Sequence, residues 1–225
     1  MKPIIGVLLR EQKTLGNKYM RGVYSDVVSD VNKHGGIVIG IPNPQSGIFY
    51  DKDITNTPSL TEDGFNDMKL IVDMCDGMIF QGGDEYFDYD LKVLKYCYDK
   101  DMPVLGICLG MQIMACLFDG EMIDIGNMTH KQDEKYVHDV SIDKNSNLYK
   151  ILGKENISVN SFHKSKIIKT ALDVVAISDD GIIEAVEDKS RKFFLGVQWH
   201  PERMSRYDEL QDKVIENFIE SCKKD

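Results

Sequence analysis

Val104-Leu105-Gly106-Ile107-Cys108-Leu109-Gly110, residues 104–110, is the stretch from which the fold can be read outward in both directions. Its first four residues form an apolar run without polar alternation, as expected of a strand covered by helices on both faces. Its last two open Leu109–Phe118, which has the composition of a helix. Between strand and helix stands a cysteine with glycines two before and two after it. That is the pattern of a nucleophile on a tight turn, where neighbouring groups come too close for larger side chains. A thiol at a helix N-terminus also meets the positive end of the peptide dipoles, which favours the thiolate. The pentapeptide alone equally suits a buried structural cysteine, so its surroundings must decide.

Upstream, short apolar runs alternate with longer helix-like segments. Ile4–Leu9, Ile37–Ile41, Gly77–Phe80 and Pro103–Ile107 read as strands. Lys18–His34, closed by Gly35-Gly36, Thr61–Met74 and Asp88–Lys100 read as helices. Such a series gives parallel strands joined by right-handed helical crossovers, and hence a three-layer, open α/β architecture with a mostly parallel sheet. From about Glu121 the texture turns strand-rich, with Tyr136–Ile142, Ile157–Asn160, Val174–Ser178, Ile182–Val186 and Phe193–Val197 as extra, antiparallel strands. Asp179-Asp180-Gly181 is a hairpin signal between two of them. A helix near Arg206–Cys222 closes the series, and Pro42–Pro58 reads as a long surface loop. With no repeat or linker, residues 1–225 read as one domain.

Two further motifs carry chemistry. In Gly196-Val197-Gln198-Trp199-His200-Pro201-Glu202 an imidazole and a carboxylate lie two residues apart after an apolar strand, and Pro201 stiffens their presentation. Cysteine catalysis needs an imidazole to move the thiol proton and a carboxylate to hold the ring, so His200 and Glu202 are the candidates. In Gln81-Gly82-Gly83-Asp84 the paired glycines let backbone N–H groups face a site. The N–H of Gly83, with that of Leu109, is then a candidate oxyanion hole.

The bulk properties narrow the function classes. A net charge of -10 disfavours nucleic acid and acidic membranes as partners. Met1–Arg10 is too short an apolar run to span a bilayer. The five cysteines lack C-x-x-C spacing or a paired framework, so neither zinc site nor disulfide is indicated and a reducing cytoplasm is expected. The eleven methionines read as core filler, and His130 and His138 lie in a polar stretch without ligand spacing. No metal or other cofactor is therefore expected. Arg10, Lys13 and Tyr19, near the end of the first strand, are within reach of a substrate carboxylate but read first as solvated loop residues.

Taken together, the glycine turn, the G-x-C-x-G-x-Q elbow, the N-S-x-H segment and the W-H-P-E ending resemble the class I glutamine amidotransferase superfamily over nearly the whole chain. Within it the sequence most resembles the peptidase C26 branch, the γ-glutamyl-γ-aminobutyrate hydrolase-like proteins. Pro3-Ile4-Ile5-Gly6-Val7, His34-Gly35-Gly36, Val159-Asn160-Ser161-Phe162-His163 and Asp180-Gly181-Ile182-Ile183-Glu184-Ala185 carry that likeness. The resemblance implies a flavodoxin-like fold, a Cys108-His200-Glu202 triad and a γ-glutamyl thioester on Cys108. It implies contact of Gln112 with the glutamyl group, and a pocket that Gly82, Asn160, Ser161 and His163 help to line.

Lys164 and Ser165 stand where the hydrolase branch typically has a second His and a Gln, and the loop after Gly83 is short. These departures leave the released amine open. Leu109 replaces an arginine common among the hydrolases and is also usual in glutaminase subunits. Two enzyme readings result: a free-standing hydrolase of a small γ-glutamyl amine, and a glutaminase subunit feeding ammonia to a separate synthase partner. A homodimer is compatible with both. A third reading, a binding module that has lost its chemistry, conflicts with the intact triad.

Overall fold

The computed structural model describes residues 1–13, 15–16, 18–44 and 59–224. In chain order the first half holds β1 (Ile4–Leu8), β2 (Arg10–Lys13), β3 (Tyr19–Gly22), α1 (Ser25–Lys33), β4 (Ile37–Ile41), α2 (Glu62–Val72), β5 (Gly77–Phe80), α3 (Asp88–Asp99), β6 (Val104–Ile107) and α4 (Leu109–Leu117). The second half holds β7 (Glu121–Asp124), β8 (Lys131–Gln132), β9 (His138–Ile142), α5 (Asn147–Leu152), β10 (Asn156–Val159), β11 (Ser161–Phe162), β12 (Ser165–Lys169), β13 (Asp173–Ser178), β14 (Ile183–Glu187), β15 (Phe194–Val197), α6 (Pro201–Met204) and α7 (Glu209–Ser221).

Nine strands form one sheet in the order β10-β9-β13-β14-β15-β6-β5-β1-β4. From β4 to β15 every pairing is parallel. From β15 outward to β10 every pairing is antiparallel. The expected hairpin joins β13 to β14, with Gly181 supplying the positive φ of 84° that the turn requires. Alternate residues of the buried strands feed two cores. Ile5, Ile79, Leu105 and Val197 pack with α1, α5 and α7, while Met78, Phe80, Val104 and Phe194 pack with α2, α3 and α4. The result is the three-layer α/β architecture that the strand and helix series implies. Among the described residues no helix is long and apolar enough to cross a membrane.

The segment expected as one helix from Lys18 differs. Tyr19–Gly22 instead pairs antiparallel with Arg10–Lys13, and the helix begins only at Ser25. The reason is a distant side chain. Gln81 donates to the carbonyls of Leu8 and Gly22 at 2.8 and 3.1 Å and accepts from Tyr24 N–H at 3.0 Å, taking up backbone groups that a helix would satisfy internally. Likewise β7 and β12 pair with each other outside the main sheet, and α5 falls outside the expected elements. Most of the expected surface loop, residues 45–58, lies outside the described residues.

The elbow glycines are required by close approach. A Cβ on Gly110 would stand 1.9 Å from the carbonyl oxygen of Phe80, and one on Gly106 would stand 2.8 Å from Met111 N. Backbone cannot swing aside as a side chain can. Gly110→Ala is therefore expected to cost about 3 kcal/mol, the upper end of over-packing penalties. Gly22→Ala, whose Cβ would meet nothing closer than 3.9 Å, should barely move the midpoint of urea unfolding. Equal midpoints for the two variants would contradict this packing.

Candidate active site

Cys108 occupies the single step between β6 and α4 with φ 53° and ψ -104°. A non-glycine residue there carries strain of about 1–3 kcal/mol, tolerated only where the surroundings fix it. Two hydrogen bonds do so: Cys108 N–H donates to Val197 O at 2.8 Å, and Cys108 O accepts from Gln112 N–H at 3.1 Å. The thiol is 5% exposed and lies on the wall of a cavity of about 430 Å³ that Gly83, Gln112, His163 and Lys164 also line.

β15 runs parallel to β6 with Gly196 opposite Gly106 and Val197 opposite Ile107, so the chain leaving β15 passes beside Cys108. Trp199 anchors that exit. Its ring is fully buried and its indole N–H donates to Gln211 Oε1 at 2.8 Å. The Asn160 amide clasps the backbone of His200, accepting from its N–H at 2.8 Å and donating to its carbonyl at 3.0 Å. His200 Nδ1 then lies 2.7 Å from Glu202 Oε1, and the ring and the Cys108 thiol are close enough that each shifts the other's titration.

These contacts set the charges. Burial opposes the imidazolium of His200, but the Glu202 carboxylate and then the Cys108 thiolate outweigh it and lift the group to about 9. Burial likewise opposes the Cys108 thiolate, but the His200 charge and hydrogen bond bring that thiol below its ordinary value. The arrangement is a buried thiol and imidazole, each favouring the charged form of the other, with a carboxylate behind them. Such a group can attack a carbonyl and return a proton to a leaving group.

The glycine turn closes the other side. A Cβ on Gly82 would stand 2.8 Å from His200 Cε1, so this glycine makes room for the imidazole. Gly83 lines the cavity with Cys108, and Leu109, the first residue of α4, has no intrahelical acceptor for its N–H. Arg10 departs from expectation. Rather than solvated, it is 2% exposed and paired to the fully buried Asp90 at 2.7 Å, with its chain passing near Gly83. The side chains of Lys13 and Tyr19 lie outside the described residues.

With this geometry in place, comparison with known proteins decides the family. Residues 3–202 match the model of the peptidase C26 family. The chain belongs to the peptidase C26 family. The glutamine amidotransferase-like protein YvdE of Lactococcus lactis is 31% identical over 58% of this chain, and the chain spans 58% of that relative's length. A glutamine amidotransferase-like protein of Rickettsia prowazekii is 26% identical over 91% of this chain and 92% of its own. The glutamine-hydrolysing GMP synthase of Francisella philomiragia is 36% identical over 66% of this chain but only 28% of its own. In fold, the chain superposes on a Thermoplasma acidophilum crystal structure assigned to a GMP synthase subunit, with a TM-score of 0.67, 21% identity and coverage of 99% and 95% of the two chains. This C26 chain thus has a class I glutamine amidotransferase fold, and its relatives include glutamine amidotransferase-like proteins.

The remaining expected residues of the C26 site fall into two groups. Gln112 lines the cavity, but its amide nitrogen is bound to Ser165 O at 3.1 Å and to Gln198 Oε1 at 3.0 Å. His163 also lines the cavity. Asn160 instead positions His200, and Ser161 is fully buried, donating to His130 O at 2.8 Å. Sequence reasoning passed over Gln198, whose amide nitrogen lies 3.5 Å from the Cys108 sulfur, and Phe162, whose ring stands edge-on to His200. Both sit inside motifs already singled out, and their placement beside chemistry-bearing residues was the available signal.

The five cysteines are all free, and burial raises Cys75, Cys97, Cys116 and Cys222 while Cys108 alone is lowered. At pH 7 iodoacetamide should therefore alkylate Cys108 ahead of the other four. Mass mapping that finds all five modified at one rate would refute the thiolate assignment.

Proposed function

We propose that this C26 protein hydrolyses a γ-glutamyl amide bond through a thioester on Cys108, releasing glutamate and an amine. The observation that carries this reading is Cys108, electrostatically coupled to His200, with His200 hydrogen-bonded to Glu202, on the wall of a cavity that Gly83 also lines. The Cys108 thiolate attacks the γ-carbonyl carbon, and the resulting oxyanion accepts hydrogen bonds from the N–H groups of Leu109 and Gly83. As the C–N bond breaks, the imidazolium of His200 gives its proton to the departing nitrogen. Water then attacks the thioester carbonyl, His200 takes its proton, and glutamate leaves as the thiolate re-forms. Glu202 stays ionised throughout and holds the ring.

Asp84, Asp124, Lys131 and Lys164 on the cavity wall supply both charges that an α-ammonium and an α-carboxylate need. Phe162 lines both this cavity and a groove of about 710 Å³, lined also by Arg203 and Tyr207, which would receive the amine. Five free thiols fit a reducing compartment such as the cytoplasm. The likeness to GMP synthase and the Leu109 following the cysteine favour a second reading, in which the substrate is glutamine and the ammonia passes to a synthase partner.

Incubating the isolated chain with glutamine and a panel of γ-glutamyl amides should release glutamate, and Cys108→Ser should reduce release to background. No turnover on the panel by folded protein, with or without a synthase partner, would sink the proposal. Stimulation of glutamine turnover by such a partner would select the second reading.

The charge pair also fixes the pH profile. Raising the pH through about 9 removes the His200 proton needed by the leaving nitrogen, and lowering it below the depressed value of Cys108 protonates the nucleophile. The two limbs belong to the pair rather than to either residue. An alkaline fall of kcat/KM near 9 is expected, with the acid limb below the ordinary thiol range. Glu202→Gln should lower kcat/KM by roughly 10²–10⁴-fold and move that fall to lower pH. An unshifted alkaline limb in the variant would contradict the role given to Glu202.

A further inference from the structure

His130, just before β8, His138, the first residue of β9, His163, between β11 and β12, and Glu184 on β14 meet beside the cavity. Each offers one ligand atom, and these atoms all lie within 4.8 Å of one another. His130 Nδ1 is 3.2 Å from His163 Nε2. Glu184 Oε1 is 3.7 Å from His130 Nδ1, 3.7 Å from His138 Nε2 and 3.6 Å from His163 Nε2. A tetrahedral ion with bonds of about 2.0–2.2 Å to nitrogen and oxygen separates its ligand atoms by about 3.3–3.6 Å. The four spacings just given, 3.2–3.7 Å, bracket the edges of such a polyhedron, and the other two are at most 4.8 Å.

The protons point the same way. His130 Nε2 faces Asp180 Oδ2 at 3.0 Å, His163 Nδ1 faces Ser165 O at 2.9 Å, and His138 Nδ1 faces Asp139 O at a longer 3.4 Å. Carbonyl and ionised carboxylate oxygens only accept, so these ring nitrogens carry the hydrogens. In each neutral ring the other nitrogen, a bare lone pair, is the one turned inward. The Ser161 hydroxyl, 3.4 Å from His130 Nδ1, already donates to His130 O at 2.8 Å. Glu184 is fully buried, and no hydrogen bond reaches either of its oxygens or His138 Nε2. Unless a proton is held among them, between His130 and His163 or between His163 and the Glu184 carboxylate that favours its charged form, four acceptors converge without a donor, each imidazole held from behind by an acceptor, as metal-ligating histidines are.

We propose that His130, His138, His163 and Glu184 form a closed structural site for a divalent transition-metal ion, zinc foremost. Three imidazoles and one carboxylate suit zinc better than calcium or magnesium, which take oxygen ligands. Four protein ligands leave no open position, so the ion pins elements together. It joins the 130–138 segment and the turn at His163 to the main sheet, and so fixes the wall formed by Lys131, His163 and Lys164. The side chain of His138 is 13% exposed and gives the ion a way in.

The test reads metal, not turnover, so it is independent of the proposed reaction. Chelator-stripped protein is loaded with zinc chloride, desalted and analysed for zinc per chain. Wild type and Cys108→Ser should each retain one equivalent, and zinc should raise the melting temperature of both by about 5 °C or more. His138→Ala, at the rim and least disruptive to folding, and Glu184→Gln should lose the retained metal and the shift. Cobalt in place of zinc should give the visible bands of a tetrahedral ion without a thiolate charge-transfer band. No retained metal in wild type, retention by His138→Ala, or loss in Cys108→Ser with a thiolate band would overturn the site. The first result would leave instead a hydrogen-bonded cluster with a proton shared between an imidazole and Glu184.

Discussion

Gly106 faces Gly196 across the parallel pair of β6 and β15, and both glycines lie under the first turn of α4. A Cβ on Gly196 would sit 3.0 Å from Met111 Cα, and one on Gly106 would sit 2.8 Å from Met111 N. The helix therefore rests directly on the backbones of two strands. That contact sets how close the start of α4 lies to the end of β15, and so how close Cys108 lies to His200. The pairing register does the rest. A slip of one residue would turn Val197 and Ile107 to the opposite core and carry His200 away from the elbow. The hydrogen bond from Cys108 N–H to Val197 O locks the strained cysteine to the same strand that delivers the imidazole.

Burying three ionisable groups in series is costly unless each is answered. Cys108 and His200 answer each other, and Glu202 answers His200 from behind. A fourth ionisable group, the carboxyl of Asp30, feels the charge of Glu202. Burial first of all raises Asp30 to about 6, against a hydrogen bond from Ser205 at 2.9 Å that opposes the shift. A fraction of Asp30 is therefore neutral near pH 6. The field on the imidazole is then dominated by the carboxylate that touches it.

What could be read from the chain was whatever short-range pattern encodes. Apolar runs of four or five residues gave β1, β5, β6 and β15 within a residue, and the elbow and W-H-P-E motifs named Cys108, His200 and Glu202 by local spacing. What escaped depends on partners far apart in sequence. Gln81 suppresses the start of a helix at Lys18 by bonding Gly22 and Tyr24, 59 and 57 positions away. Arg10 looks like a loop charge until Asp90, 80 positions on, is beside it. His130 and His138 have no local ligand spacing, and the remaining members of their cluster come from two other elements. A carboxylate between Ile183 and Ala185, inside a buried strand, was the one trace that chemistry at Glu184 left in the sequence.

The two clusters are joined through the backbone. Gln198 N–H donates to Glu184 O at 2.7 Å, while the Gln198 side chain reaches toward the sulfur of Cys108 and holds Gln112. The acyl side of the cavity is thus built from strand ends whose positions the sheet dictates. The far wall, with Lys131, Phe162, His163 and Lys164, comes from short strands outside that sheet, tied to it by the histidines and Glu184. Under the proposed reaction, chemistry at the carbonyl and recognition of what leaves it fall on different parts of the fold, the main sheet and the short strands beside it. A family holding the first constant can vary the second by changing only the short strands, which is where Lys164 and Ser165 stand.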